Sequence, residues 1–141
     1  MMMRIFLSYK FNRIPINELY DKIDPLIEIL NMHHEVYCNL HKNKYFMDNS
    51  YTTKMIMEDS LAELNKCDYF IIFIDINKYS RKEIGEGMAI EFGYAYKMNI
   101  PRLVLIHKSV ISNSLKSLAT NVIEFEDLYE LYEKIKNFKL V

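Results

Sequence analysis

The sequence is poor in cysteine and carries almost no net charge, and each shortage excludes a class of protein. Cys38 and Cys67 are the only cysteines among its 141 residues, too few for a disulfide framework, and no histidine and cysteine cluster has the spacing of a zinc site. Lysine and arginine number 18 against 19 aspartates and glutamates, so no basic surplus indicates a nucleic acid polymer or an anionic membrane as partner. We expect a protein of a reducing, cytoplasmic compartment.

Long apolar segments are also missing. The longest apolar run covers residues 69–74, far short of the roughly 20 residues that cross a bilayer. The amino-terminal segment lacks the long apolar stretch and small-residue cleavage site of a signal peptide, so we expect neither secretion nor a membrane partner. With 50% hydrophobic and 26% charged residues the composition is that of a globular protein, and the length predicts a single domain over residues 1–141.

Short apolar runs alternate along the chain with segments whose apolar residues recur every three or four positions. This pattern predicts an α/β fold, specifically a doubly wound, flavodoxin- or Rossmann-like three-layer sandwich with a five-stranded, mainly parallel sheet. Pro25 falls inside the first helical segment and is expected to kink or split it. The predicted strands cover residues 4–8, 35–39, 68–75, 102–107 and 121–125, and the predicted helices lie between and after them.

Ligands of such sheets bind beyond the carboxyl ends of the strands, near the point where the strand order reverses. Candidate site residues are therefore those that directly follow the strands. These segments are residues 8–13, 39–44, 76–87 and 107–114.

The glycines are concentrated at one of these strand ends. Gly85, Gly87 and Gly93 are the only three in the chain, and all fall in the stretch EIGEGMAIEFGYA. Glycine is required where φ is positive or where another group approaches the backbone closely, so this stretch is either a ligand-binding turn or a tight structural turn, with Gly93 allowing helix to pack on sheet.

Glu91 lies about one turn into the helix that follows, four positions after Gly87. The amino terminus of a helix favours the ionised form of a carboxyl group. An ionised carboxylate suits a nucleophile or an electrostatic stabiliser better than a general acid. An ordinary solvated surface glutamate is the alternative.

The stretch GEGMAIEFGYAYKMNIPRLVLI resembles the nucleoside 2-deoxyribosyltransferase family, whose pattern is a Gly, three residues, the catalytic Glu, one residue and then Gly-Tyr-Ala. Gly87, Glu91, Gly93, Tyr94 and Ala95 fit that pattern. NKCDYFIIFID is similar to the apolar strand that precedes it in the family, RIFLSYKF to the first strand and substrate loop, and ATNVIEF to a late strand. The likeness covers roughly residues 3–125 in the same order.

The resemblance implies an enzyme that cleaves the N-glycosidic bond of 2-deoxynucleosides and passes the sugar to another free nucleobase. Glu91 would attack the anomeric carbon and form a covalent deoxyribosyl-glutamate, much as a retaining glycosidase does. The reaction would need neither a metal nor another cofactor. Because members of the family lend residues between subunits, a homodimer or a larger homo-oligomer is implied.

The resemblance also implies which residues would contact the substrate. Tyr9 and Phe11 are expected to stack on the base, since aromatic rings stack on nucleobases. Asn121, supplied by a neighbouring subunit, would contact a 5′-hydroxyl group. The full implied binding set is Ser8, Tyr9, Lys10, Phe11, Ser60, Gly85, Glu86, Gly87, Tyr94, Ser114 and Asn121.

Two positions depart from the family's pattern. Many members carry Asp six residues before the nucleophile, where this chain has Gly85. Many also carry Asp or Asn eight residues before the Asp that opens the central strand, where this chain has Ser60 with Asp59 beside it. Either the second helix is shifted or Ser60 does the polar work. Base preference, and the choice between transfer and hydrolysis, stay open.

Two other functions fit parts of the sequence. A related branch of the family hydrolyses nucleoside 5′-monophosphates, and Ser8, Lys10 and Arg13, with Ser114 or Ser117 of a partner chain, offer donors for a phosphate. IFLSYK is also similar to the first strand of TIR-type domains, which would make the chain an interaction module or an NAD-cleaving enzyme. Fold likeness alone does not choose among these functions.

Overall fold

The computed structural model describes residues 1–11, 14–39, 50–79 and 82–140. The described elements alternate between strand and helix along the chain. In order they are β1 (Arg4–Tyr9), α1 (Ile16–Asn31), β2 (Glu35–Tyr37), α2 (Thr53–Leu64), β3 (Tyr69–Ile74), α3 (Glu86–Met98), β4 (Arg102–His107), α4 (Asn113–Leu118), β5 (Asn121–Phe125) and α5 (Leu128–Lys136).

The five strands form one sheet in the order β2-β1-β3-β4-β5, and all four strand pairings are parallel. This is the flavodoxin-like strand order. The predicted α/β class and five-stranded sheet are confirmed. Because β1 and β3 are neighbours, with Ser8 opposite Ile72 and Tyr9 opposite Phe73, the strand order reverses between them. That switch point is where ligands bind in such folds.

Helices cover both faces of the sheet. Alternate residues of β3 point to opposite faces, as the two-residue period of a strand requires. Ile71 packs in a core with Ile23 of α1 and Leu131 of α5. Ile72 packs in a second core, to which α2, α3 and α4 also contribute. The molecule is therefore three layers deep, and α2 and α3 lie side by side on the same face.

Pro25, which was expected to kink or split the first helix, does not split it. The helix α1 is continuous from Ile16 to Asn31 with Pro25 inside it. A proline in a helix interior costs roughly 3 kcal/mol because it removes one hydrogen bond and crowds the preceding turn. Four side chains on one stripe of α1 are fully or almost fully buried in the core, which offsets that cost. They are Leu19, Ile23, Leu26 and Leu30.

Candidate active site

Glu91 lies on the second turn of α3, and its side chain is buried beside β1 at the switch point of the sheet. The residue is only 7% exposed. Ser8, near the carboxyl end of β1, donates a hydrogen bond of 2.7 Å from Oγ to Oε1 of Glu91. Ser60 of α2 also hydrogen-bonds to the same carboxyl group. Glu91 is therefore not a solvated surface glutamate, and three elements of the fold converge on it.

The pKa of Glu91 is raised from 4.5 to about 7. Burial is the main cause, since it disfavours the charged carboxylate, while the hydrogen bonds from Ser8 and Ser60 partly offset it. The start of the helix therefore does not keep the pKa of this carboxyl group low, although a large share of the group is ionised at neutral pH. The helix terminus acts through a fraction of a charge, and the loss of water around a buried carboxylate outweighs it.

Ser60, and not Asp59, is the residue of α2 that lies at the Glu91 carboxyl group. Ser60 is fully buried, whereas Asp59 is exposed on the other side of α2. Asn39, just beyond β2, donates from Nδ2 to Oγ of Ser60 over 2.8 Å. Tyr37 in turn donates its hydroxyl proton to Oδ1 of Asn39. The acid thus lies at the end of a chain of hydrogen bonds that begins in β2.

A large open cleft lies above the acid, with a volume of about 1610 Å³. Glu91 and Ser60 are part of its lining. The remaining walls come from the ends of β1 and β3, from one side of α2 and from the start of α3. They include Tyr9, Lys10, Phe11, Asn39, Met57, Asn77, Lys78, Tyr79, Lys82, Glu83, Ile84, Gly85, Glu86, Gly87 and Met88.

The glycines serve different purposes. None of the three, all within the described residues, has a positive φ. A Cβ atom at Gly87 would lie 3.2 Å from Sδ of Met57, so this glycine lets α2 and α3 approach closely. Gly85 precedes α3 in open space on the cleft wall. Gly93 is exposed, and a Cβ atom added there would meet nothing within 4 Å, so the interpretation that it allows helix to pack on sheet is wrong.

Most of the binding residues implied by the resemblance lie around this cleft. Ser8 is fully buried beneath it and contacts the acid directly. Tyr9 lines the cleft but is only 6% exposed and packs in the core, where the thiol of Cys38 donates to its hydroxyl oxygen. The implied residues that line the cleft are Tyr9, Lys10, Phe11, Ser60, Gly85, Glu86 and Gly87.

Besides the buried Ser8, three of the implied residues do not line the cleft of this chain. Tyr94 points away from it and donates its hydroxyl proton to Asn65 over 2.9 Å. Ser114 is exposed on α4, and its carbonyl oxygen accepts a hydrogen bond from Ser117. Asn121 opens β5, so it lies at the amino end of the sheet and not at the carboxyl end, where the cleft is. Arg13 lies outside the described residues.

The sequence did not single out several groups that the fold brings to the site. Asn39 was a candidate only because it follows a predicted strand. Its hydrogen bond to Ser60 joins residues that are 21 positions apart in the sequence. Lys78 lies with its ammonium group 5.4 Å from the ring centre of Tyr79, on the loop after β3. Its position after the central strand was the one signal in the sequence that could have found it.

Among the described residues, no group of three or more histidine, cysteine, aspartate or glutamate side chains is placed to hold a metal ion. The described helices are all too short or too polar to cross a membrane. Among the described residues, the charged side chains that line the cleft are Lys10, Lys78, Lys82, Glu83, Glu86 and Glu91.

Comparison with known proteins identifies the fold. No protein-family model matches the sequence, and no curated protein matches it either. A CMP N-glycosidase of Clostridium botulinum has a similar structure, with a TM-score of 0.66 at 19% identity over 94% of this chain and 96% of that one. A 2-deoxyribosyltransferase of Bacillus psychrosaccharolyticus gives a TM-score of 0.64 at 17% identity, covering 96% of this chain and 92% of that one.

A conserved protein of Enterococcus faecalis V583 is also similar, with a TM-score of 0.66 at 18% identity over 96% of this chain and 98% of that one. At sequence identities this low, structural similarity shows a shared fold and does not show a shared activity. At the level of the fold the resemblance seen in the sequence is confirmed: this chain is built like a 2-deoxyribosyltransferase and like a CMP N-glycosidase.

Proposed function

We propose that this protein is an enzyme that cleaves the N-glycosidic bond of 2-deoxynucleosides, with Glu91 as the nucleophile, and passes the sugar to another nucleobase. The proposal rests on one observation: the Glu91 carboxyl group is buried on the floor of an open cleft and is hydrogen-bonded by the hydroxyl groups of Ser8 in β1 and Ser60 in α2. Its place at the switch point of a sheet shared with glycosyl-processing enzymes supports the same function.

The proposed reaction has two displacement steps. An ionised oxygen of Glu91 forms a bond to the anomeric carbon while the bond from that carbon to the base nitrogen breaks. The electron pair leaves with the base, which takes up a proton from solvent in the open cleft. A second base, or water, then attacks the anomeric carbon, loses a proton and releases the Glu91 carboxylate.

The surroundings of Glu91 suit this chemistry. Positive charge develops on the sugar in the transition state, and a fixed carboxylate in a poorly solvated place attracts it more strongly than one in water does. The donors Ser8 and Ser60 stabilise the carboxylate when it leaves the sugar in the second step. With a pKa near 7, the Glu91 carboxyl group is ionised in a large share of the molecules at neutral pH.

The cleft wall offers groups for the base and the sugar. Phe11 and Tyr9 lie together, with ring centres 6.1 Å apart, and Phe11 is the more accessible face for a base. The open backbone at Gly85 and the Glu86 carboxyl group face the same space and are proposed to bind the sugar or base through hydrogen bonds.

The cleft exceeds the volumes of roughly 300–1,000 Å³ that are usual for small-molecule sites, so the described residues leave it open. We propose that a second copy closes it, in a homodimer or larger homo-oligomer, and that Ser114 or Asn121 reaches the cleft only in this way. Light scattering of the purified protein measures its mass. An active monomer at assay concentration would contradict this arrangement.

The decisive experiment follows the covalent intermediate. Protein mixed with a 2-deoxynucleoside is digested and analysed by mass spectrometry, and a deoxyribosyl group is expected on the peptide that contains Glu91. Glu91→Gln is expected to abolish both the adduct and the release of base. Glu58→Gln, which changes an exposed carboxyl group of α2 outside the cleft, is the matched control and keeps both.

A second candidate is hydrolysis of nucleoside 5′-monophosphates. The observation that favours it is the presence of Lys10, Lys78 and Lys82 around the cleft, since ammonium groups attract a phosphate. Base release from a monophosphate and from the matching nucleoside, without an acceptor base, separates the two functions. If Lys10→Ala leaves turnover of the monophosphate unchanged, Lys10 does not bind a phosphate.

A further inference from the structure

A chain of hydrogen bonds with one direction ends at Glu91. The Tyr37 hydroxyl group donates to Oδ1 of Asn39, and Nδ2 of Asn39 donates to Oγ of Ser60. Ser60 hydrogen-bonds in turn to the carboxyl group of Glu91. The chain connects the end of β2 and the middle of α2 to α3.

The direction of these bonds decides what Ser60 does. A serine hydroxyl group has one proton to donate and an oxygen that accepts. Because the amide of Asn39 donates to that oxygen, the single proton of Ser60 is left for the Glu91 carboxylate. The Tyr37 hydroxyl group donates to the carbonyl oxygen of Asn39, and with the amide in this orientation its NH₂ group faces Ser60.

We propose that Asn39 is a positioning residue, which acts through Ser60 and keeps the Ser60 hydroxyl group as a hydrogen-bond donor to Glu91. Its importance for catalysis rests on the proposed function, because a donor to Glu91 matters most when the carboxylate leaves the sugar. Its effect on the Glu91 carboxyl group itself exists with or without a substrate. The other donor to Glu91 is the Ser8 hydroxyl group, and the proposed role of Asn39 does not involve it.

The variant Asn39→Asp tests the direction of the chain. It keeps the size of the side chain and exchanges the donating NH₂ group for an accepting oxygen. Ser60 is then expected to donate its proton to the new carboxylate instead of to Glu91. The ionised form of Glu91 loses a donor and gains a like charge nearby, and both effects raise its pKa.

The measurement is a carbon-detected NMR titration of glutamate carboxyl groups in the protein without substrate, with the Glu91 signal assigned by its loss in Glu91→Gln. We expect the Glu91 titration in Asn39→Asp to move upward by about one pH unit. Asn65→Asp is the matched control, because Asn65 also accepts from a tyrosine hydroxyl group but lies outside the cleft. It is expected to leave the Glu91 titration in place.

A double-mutant cycle separates the lost donor from the added charge. In a Ser60→Ala background no hydroxyl proton is available to redirect, so Asn39→Asp is expected to shift the Glu91 titration by less than it does with Ser60 present. Equal shifts in both backgrounds would show that only the charge acts, and would overturn the proposal. An unchanged Glu91 titration in folded Asn39→Asp would overturn it as well.

Tyr37→Phe provides a second and milder variant in case Asn39→Asp does not fold. It removes only the hydroxyl group and keeps the ring that stacks on Phe6 at 5.3 Å. A smaller upward shift of the Glu91 titration is expected, and no shift in either folded variant would contradict the proposal. Among the described residues, the other ionisable side chains that line the cleft are Tyr9, Lys10, Lys78, Tyr79, Lys82, Glu83 and Glu86, and all are unchanged in these variants.

Activity gives a separate readout. The acidic limb of a plot of kcat/KM against pH gives the pKa of Glu91 in the free enzyme. In Asn39→Asp this limb is expected to move to higher pH by the same amount as the NMR titration. A profile that stays in place while the NMR titration moves would show that Glu91 is not the group on which catalysis depends. That result would contradict the proposed function and leave the role of Asn39 standing.

Discussion

Ser8 and Glu91 are separated by 83 positions in the sequence, yet the Ser8 hydroxyl group donates to the Glu91 carboxyl group over 2.7 Å in a buried position on the floor of the cleft. The contact exists because β1 lies next to β3 in the sheet, and α3, which follows β3, packs back over both. The order of the strands therefore determines the surroundings of the acid. Those surroundings, and the helix that carries the acid, have measurable consequences.

Removing the Ser8 hydroxyl group should slow the reaction. A hydrogen bond to a charged group contributes about 1.5–3 kcal/mol, so Ser8→Ala is expected to lower kcat/KM at pH 7 by roughly tenfold to a hundredfold. Part of the loss comes from a higher pKa of Glu91 and should be recovered at pH 9. Steady-state base release at both pH values measures it, with Ser109→Ala, which alters a hydroxyl group bonded to His107 outside the cleft, as the control. Full activity of Ser8→Ala at pH 7 would contradict the role of this donor.

The rate should depend on pH through Glu91. The nucleophile is the ionised form, and the pKa of Glu91 is about 7. Below that pH, kcat/KM is expected to fall about tenfold for each unit, and above it to level off. Initial rates between pH 5 and pH 9 in buffers of constant ionic strength test this. A profile that is flat down to pH 5 would mean that the reacting group is not this carboxyl.

The acid should also make the protein less stable at neutral pH. The folded pKa of Glu91 is raised from 4.5 to about 7, so the folded state binds more protons than the unfolded state between those values. The free energy of unfolding therefore falls as the pH rises through that window. Relative to the native protein, Glu91→Gln is expected to gain stability with rising pH, up to about 3 kcal/mol above pH 7.

Urea denaturation at pH 5 and pH 8.5 measures this gain, and Glu58→Gln, an exposed exchange on α2, controls for the change of charge. The difference between Glu91→Gln and the native protein should be larger at pH 8.5 than at pH 5. A constant difference would show that the folded and unfolded proteins hold the Glu91 proton equally well.

Gly93→Ala should stabilise the fold. Gly93 is in the interior of α3, is exposed, and leaves open space where a Cβ atom would be. Alanine is more favourable than glycine in a helix by about 1 kcal/mol, which corresponds to a rise of about 3 °C in Tm for a chain of this size. Gly85→Ala is the comparison, because Gly85 has equal space but precedes the helix, and no gain is expected there. A fall in Tm for Gly93→Ala would mean that this glycine has a role beyond the helix.

The sequence predicts the layers of this fold well and the acid's surroundings less well. Residues 69–74 indicate a central strand because six apolar residues in a row suit burial on both faces, and β3 lies there. A split of α1 at Pro25 was one of two expected outcomes and does not occur, because local propensity takes no account of the four buried side chains that hold α1 against the core. Glu91 stood out through its spacing from Gly87, but its pKa depends on burial, which only the folded packing fixes. The link from Asn39 to Ser60 joins two elements whose approach no local pattern encodes.

The shape of the site depends on Gly87, because only a residue without a side chain lets α3 approach α2 this closely. Met57 lies against Gly87, and one helical turn further along each helix Ser60 meets Glu91. The distance between α2 and α3 at Gly87 therefore determines how closely the Ser60 hydroxyl group approaches the Glu91 carboxyl group. A bulky residue at position 87 would wedge the two helices apart and loosen that bond without altering either partner.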